Sequence, residues 1–96
     1  MTSTVNELTI EYVEDGVTTV KELDKKILSK GAWATIMYRY QEWNKQENNY
    51  GPDKYSIRRY QKRNDQYFQK SKFNISSKDQ AQKIIEVLTE WTHEEA

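Results

Sequence analysis

The residues between Lys54 and Ile75, "KYSIRRYQKRNDQYFQKSKFNI", divide into two strips when every second position is read. One strip holds Tyr55, Ile57, Tyr67, Phe73 and Ile75. The other holds Lys54, Ser56, Arg58, Tyr60, Lys62, Phe68, Lys70 and Lys72. A strand pair burying the first strip would turn the second to solvent. Cations alternating with flat rings are what an unpaired nucleic-acid strand needs, because its phosphates want charge and its bases expose stacking faces. Stacking one base is worth on the order of 1–3 kcal/mol, so two or three rings weigh as much as the charges. Arg39 and Trp43, a further cation and ring on the preceding apolar segment, join the candidate set.

Each of these residues also has a plain structural reading. Tyr60 suits any strand, and Phe68 could pack against a second copy of the chain. Lys and Arg on an exposed strand discourage edge-to-edge aggregation. Arg58 could pair with Glu42 across the sheet. The whole strip could be no more than a solvated face.

Other chemistries find little support. The only His is His93, near the chain end, and there is no Cys, which removes thiolate metal sites and disulfides. No Gly-rich phosphate loop is present, and the carboxylates do not cluster at ligand spacing. The expectation is a non-enzyme with no metal and no small-molecule cofactor. No apolar run reaches membrane-spanning length, and the N-terminus has no basic-then-apolar leader, so a soluble cytoplasmic protein without membrane partners is expected.

The formal net charge of zero hides a partition. Residues 1–24 carry Glu7, Glu11, Glu14, Asp15, Glu22 and Asp24 against Lys21. Lys54 to Lys72 carry Lys54, Arg58, Arg59, Lys62, Arg63, Lys70 and Lys72 against Asp65. The C-terminal segment is acidic again, with Asp79, Glu86, Glu90, Glu94 and Glu95. The local field therefore matters more than the sum.

The elements that must hold the strip follow from pattern. Leu8, Ile10 and Tyr12 alternate with polar residues before Asp15-Gly16, a strand-and-hairpin signal, so residues 1–16 are expected to form an N-terminal extension with a strand. Residues 17–31 are ambiguous. Thr19 with Glu22 and the Val20, Leu23, Ile27 spacing suggest a helix, while Val17 to Val20 is β-branched throughout. Residues 32–43 read as a strand with Ala34, Ile36, Tyr38 and Tyr40 on one face and Trp33, Met37, Arg39 and Trp43 on the other. Residues 44–53 read as a loop ending in Gly51-Pro52. Two strands follow, 54–63 and 66–75, joined by a tight Asn64-Asp65 turn. Ser77 with Gln80 then fits a capping box (Ser76 is a second candidate cap), opening a helix with Ala81, Ile84, Ile85, Leu88 and Trp91 as its apolar stripe.

The class is α+β, with the helix expected to lie over the Tyr55, Ile57, Phe73, Ile75 strip. Hydrophobic residues are only 35% of the chain and the core must be thin. With Trp91 and Leu88 extending the helix stripe beyond one small sheet, a homodimer is expected.

The segment "KYSIRRYQKRNDQYFQKSKFNISSKDQAQKIIEVL" resembles the single-stranded DNA-binding core of the positive cofactor four family of transcriptional coactivators, in the manner of its short bacterial members. The matching features are Ile57-Arg58-Arg59-Tyr60, the basic strand Lys70 to Ile75, Ser76-Ser77 and the closing helix. "ILSKGAWATIMYRYQEWN" and "GPDKYSIRRY" look like the family's preceding strands and Pro-containing loop. The resemblance covers about 27 to 91. It implies a curved antiparallel sheet of four to five strands followed by one amphipathic helix, a β-β-β-β-α domain over 17–96, and a homodimer. It also implies non-specific single-stranded DNA binding on the face away from the helix, with RNA open on the same chemistry. Arg58 and Tyr60 correspond to the family's binding arginine and aromatic, and 18–29 is tipped toward an extended strand. The acidic N-terminal part, the 44–53 loop and Gln61 depart from the family pattern. The competing expectation is a protein-interaction module using the same aromatic face. Its core would be poorer in Lys than this strip.

Overall fold

A computed structural model describes residues 4–93. Residues 1–3 of the expected extension, and Glu94 and Glu95 of the acidic C-terminal segment, lie outside the described part. The chain forms a curled, half-barrel antiparallel sheet followed by one helix, an α+β fold. A 3-10 turn at Val5–Glu7 precedes β1 (Tyr12–Glu14), β2 (Val17–Ser29), β3 (Trp33–Asn44), β4 (Asn49–Tyr50), β5 (Lys54–Arg63), β6 (Gln66–Ile75) and α1 (Lys78–His93). Five strands run in the order β1-β2-β3-β5-β6, and the two-residue β4 pairs with the end of β3.

Turn chemistry fixes the connections. Asp15 and Gly16 have φ of 53° and 80°, and Asn64 and Asp65 have φ of 52° and 63°. Two consecutive left-handed residues suit the right-handed twist of a two-residue hairpin, and Asp, Asn and Gly tolerate that region best. The 44–53 segment is a short hairpin rather than an open loop: Trp43 faces Tyr50, Asn44 faces Asn49, and the Gly51 amide donates to the Glu42 carbonyl at 2.9 Å.

The ambiguous 17–29 segment is strand throughout. Its helix-like spacing has a physical origin. Register shifts between Glu22 and Asp24 and between Ile27 and Ser29 leave Leu23 and Leu28 as extra residues, which stretches a two-residue period toward three and four.

One sheet face, the inner one, carries the core. Ala34, Ile36 and Tyr38 of β3, Ser56 and Tyr60 of β5 and Tyr67 of β6 are buried there. The extension completes that core. Among its described residues only 12–14 are strand; upstream, Val5 and Leu8 turn inward and pack with Ala34, Ile36, Tyr38, Tyr60 and Tyr67, with Ile10 beside them.

The helix starts as expected but does not lie across the sheet. Ser77 Oγ accepts the Gln80 amide at 3.1 Å, and Gln80 Oε1 accepts the Ser76 amide at 3.0 Å. No residue of α1 is buried, and its main contact is with β6. Ile85, Val87, Leu88 and Trp91 are exposed, and Phe73, part of the strip the helix was expected to cover, is 53% exposed. The cause is geometric: the chain leaves β6 at Ile75 with only Ser76 and Ser77 before α1, and the helix continues off the sheet end in a flattened molecule of 52 × 39 × 17 Å.

Candidate nucleic-acid interface

Pairing registers decide which candidate residues share a face. Lys54, Ser56, Arg58 and Tyr60 of β5 stand opposite Tyr40, Tyr38, Ile36 and Ala34 of β3, all on the inner face. On the other side Arg58 faces Lys72, Ser56 faces Asn74, and Lys62 faces Tyr67. The inner face therefore unites Lys54, Arg58, Tyr60, Lys62 and Lys72 of the expected strip.

A bulge removes the rest. Arg59 pairs with Ser71 but Tyr60 pairs with Gln69, so Lys70 is the extra residue and everything before it in β6 changes face. Tyr67, expected on the opposite strip, joins the inner face. Phe68, expected beside Lys70 and Lys72, faces Gln61 on the outer surface. Arg39 and Trp43 are also on the outer face. Arg39 lies 3.8 Å from Asp53, and Trp43 meets Tyr50 edge-on at 5.0 Å between ring centroids. Arg59 stacks over Trp33 on that side, 4.6 Å from the ring centroid. The two surfaces are thus both cationic and aromatic, but they are distinct.

Tyr60 is not a free stacking platform here. It is 4% exposed, and its hydroxyl lies 3.0 Å from that of Tyr38, which is wholly buried. Burial pushes both phenols above the ordinary tyrosine range. The hydrogen bond the two share adds to the rise for Tyr38, and for Tyr60 that bond and the nearby Arg58 charge offset part of it. The two remain neutral and act as an aromatic floor.

The cations differ in how far they are already engaged. Lys54 is held by Glu42 at 2.7 Å, and that bond raises its pKa against the opposing effect of burial. Lys62 lies over the Tyr67 ring at 5.6 Å. Arg58 is pinned by neutral groups alone: Nε donates to Ser56 Oγ at 2.8 Å, Nη1 donates to Gln69 Oε1 at 2.9 Å, and Ser56 Oγ donates to Asn74 Oδ1 at 2.7 Å. The expected Arg58–Glu42 pair does not form, because Glu42 stands opposite Lys54's end of the strand. Among the described residues neither Arg58 nor Lys72 makes an ion pair, although they face each other across β5 and β6. Like charges in directly opposed positions destabilise a sheet. An anion between them would reverse the sign of that interaction.

Lys25, which pattern reading did not single out, also belongs to this face. It stands opposite Tyr38, and its Nζ donates to the carbonyls of Val5 and Asn6, each at 3.0 Å, and of Leu8. Nothing in a mixed charged run such as "KELDKK" distinguishes it.

Among the described residues no group of three or more His, Asp or Glu side chains could hold a metal ion, and no helix is long and apolar enough to cross a membrane. No family model, curated protein or solved structure matches the chain.

Proposed function

We propose that the chain binds single-stranded nucleic acid, DNA in the first instance, along the inner face of its curled sheet without sequence preference. The carrying observation is the opposed Arg58–Lys72 pair, two cations without carboxylate partners beside a tyrosine floor. The Asn74–Ser56–Arg58–Gln69 chain of hydrogen bonds fixes the guanidinium in advance and leaves its remaining N–H donors for phosphate oxygens. Lys62 and Lys72 extend the cationic ledge along the strand pair, and Lys54 contributes less because Glu42 neutralises it.

The resemblance of residues 27 to 91 to the positive cofactor four family supports the same reading. It extends it to a cytoplasmic homodimer that assists transcription or other DNA transactions. The exposed stripe of Ile85, Leu88 and Trp91 on α1 supports association with a second copy.

Fluorescence anisotropy with oligothymidine and a duplex of equal length, over a salt gradient, tests this. Oligothymidine should bind tighter. Arg58→Ala and Lys72→Ala should each flatten the salt dependence by about 0.7 in logarithmic slope, one released counterion contact on a single strand. Phe68→Ala and Arg59→Ala, on the outer face, should leave it unchanged. Equal affinity for duplex and oligothymidine would refute the proposal, and the aromatic surface would then be read as a docking site for a protein chain.

A further inference from the structure

The inner face that would receive a nucleic acid is already partly occupied by the chain itself. Val5 and Leu8 are 7% exposed each and rest on Ile36, Tyr38, Tyr60 and Tyr67, while Thr4, Asn6, Glu7 and Thr9 of the same segment are exposed. Ile10 packs beside these two buried side chains, and the Thr9 hydroxyl donates to Glu22 Oε1 of β2. The segment's one turn of 3-10 helix has no side-chain cap. Its main chain is held by the Lys25 ammonium, which donates to three carbonyl oxygens. A cation surrounded by oxygen acceptors over an aromatic floor is the environment that a phosphate and its base would offer the same residues.

Resting on the nucleic-acid reading above, we propose that residues 4–10 are an autoinhibitory strap that competes with the strand for the inner face. With the strap in place only the β5–β6 ledge, from Lys54 through Arg58 to Lys72, is open. With the strap displaced, Tyr38, Tyr60 and Tyr67 become available for stacking and Lys25 becomes a further phosphate contact. Strap and nucleic acid then exclude each other, so each lowers the apparent affinity of the other. The strap's own carboxylate, Glu7, adds repulsion toward an incoming phosphate backbone while it is docked.

The test uses the full chain. Val5→Ser with Leu8→Ser weakens both apolar grips and leaves the sheet residues untouched. Oligothymidine affinity should rise on the order of tenfold, within the usual span of such coupling. The salt slope should steepen by about 0.7 as Lys25 joins the contacts. In the unsubstituted chain, hydrogen exchange gives an independent reading that does not depend on the variant folding. The amides of Glu7 and Leu8, which donate to Thr4 and Val5 carbonyls, should lose protection when oligothymidine is added. If oligothymidine binds with the Arg58 and Lys72 dependence given above while those amides keep their protection, the strap is only core and this proposal fails with the function standing. If neither the chain nor its strap variant binds oligothymidine, both fail. If only the variant binds, the strap stands and the function proposed for the chain with its strap docked fails.

Discussion

The tyrosine pair under the strap lends itself to a double-mutant cycle whose outcome follows from burial. The Tyr38 and Tyr60 hydroxyls are each other's partner at 3.0 Å, in rings 0% and 4% exposed. Tyr38→Phe deletes one hydroxyl and strands the other on an apolar face. A buried polar group that loses its partner costs about 1–3 kcal/mol. Tyr60→Phe is expected to cost the same, for the same reason. The double variant removes both groups and with them the desolvation problem, so its stability should return close to the starting value. The coupling between the sites is then the sum of the two single costs, about 2–6 kcal/mol, far outside additivity. For a domain of this size 1 kcal/mol moves the midpoint by roughly 4–8 °C, so each single variant should melt well below the parent and the double variant within a few degrees of it. Thermal and urea unfolding, run at one fixed protein concentration because association shifts midpoints, supply the readout. Single changes that sum to the double would refute the paired-hydroxyl argument. The same variants also separate ring from hydroxyl in binding, since phenylalanine keeps the stacking face.

Two further outcomes follow. Burial raises the Tyr38 and Tyr60 pKa values above that of an unfolded tyrosine, so their contribution to stability is complete below about pH 10 and declines as pH rises beyond it; urea midpoints between pH 7 and 11 should fall only at the alkaline end, and less in the double phenylalanine variant. Sedimentation at micromolar concentration should give twice the chain mass, with Leu88→Glu and Trp91→Glu returning it to the monomer; a wild-type monomer across that range would remove the proposed association.

The parts of this fold that sequence reading reaches are those governed by local chemistry. The Asn64-Asp65 turn bounds two strands at 54–63 and 66–75 because only a short menu of residues accepts two left-handed positions in a row. The Ser77–Gln80 cap marks the helix start for a similar reason. What escapes is phase. The extra residue at Lys70 sits in "QKSK", where every residue is polar and no apolar alternation records the slip, so Tyr67 and Phe68 exchange faces unannounced. Leu23 and Leu28 do the same in β2 and imitate a helix. The strap escapes because Leu8 and Ile10 alternate as a strand would, while what folds them inward is a floor assembled from β3, β5 and β6. The Lys25 tether is invisible for the same reason: its partners are seventeen to twenty residues away and are backbone atoms.

That last point sets where the chain tolerates change. Lys25 recognises carbonyl oxygens, which every residue supplies, so Asn6 and Glu7 are free to vary in size and charge without loosening the hold on the main chain. Position 25 has no such latitude. An ammonium is a compact point donor with three rotatable N–H groups and can gather three oxygens about one atom, whereas the planar guanidinium of arginine spreads its donors over a rigid fork. Lys25→Arg keeps the charge and loses the shape. The path of the main chain from Val5 to Leu8 is thus gathered by a single side chain on another strand, and between the buried Val5 and Leu8 the sequence is left open to substitution.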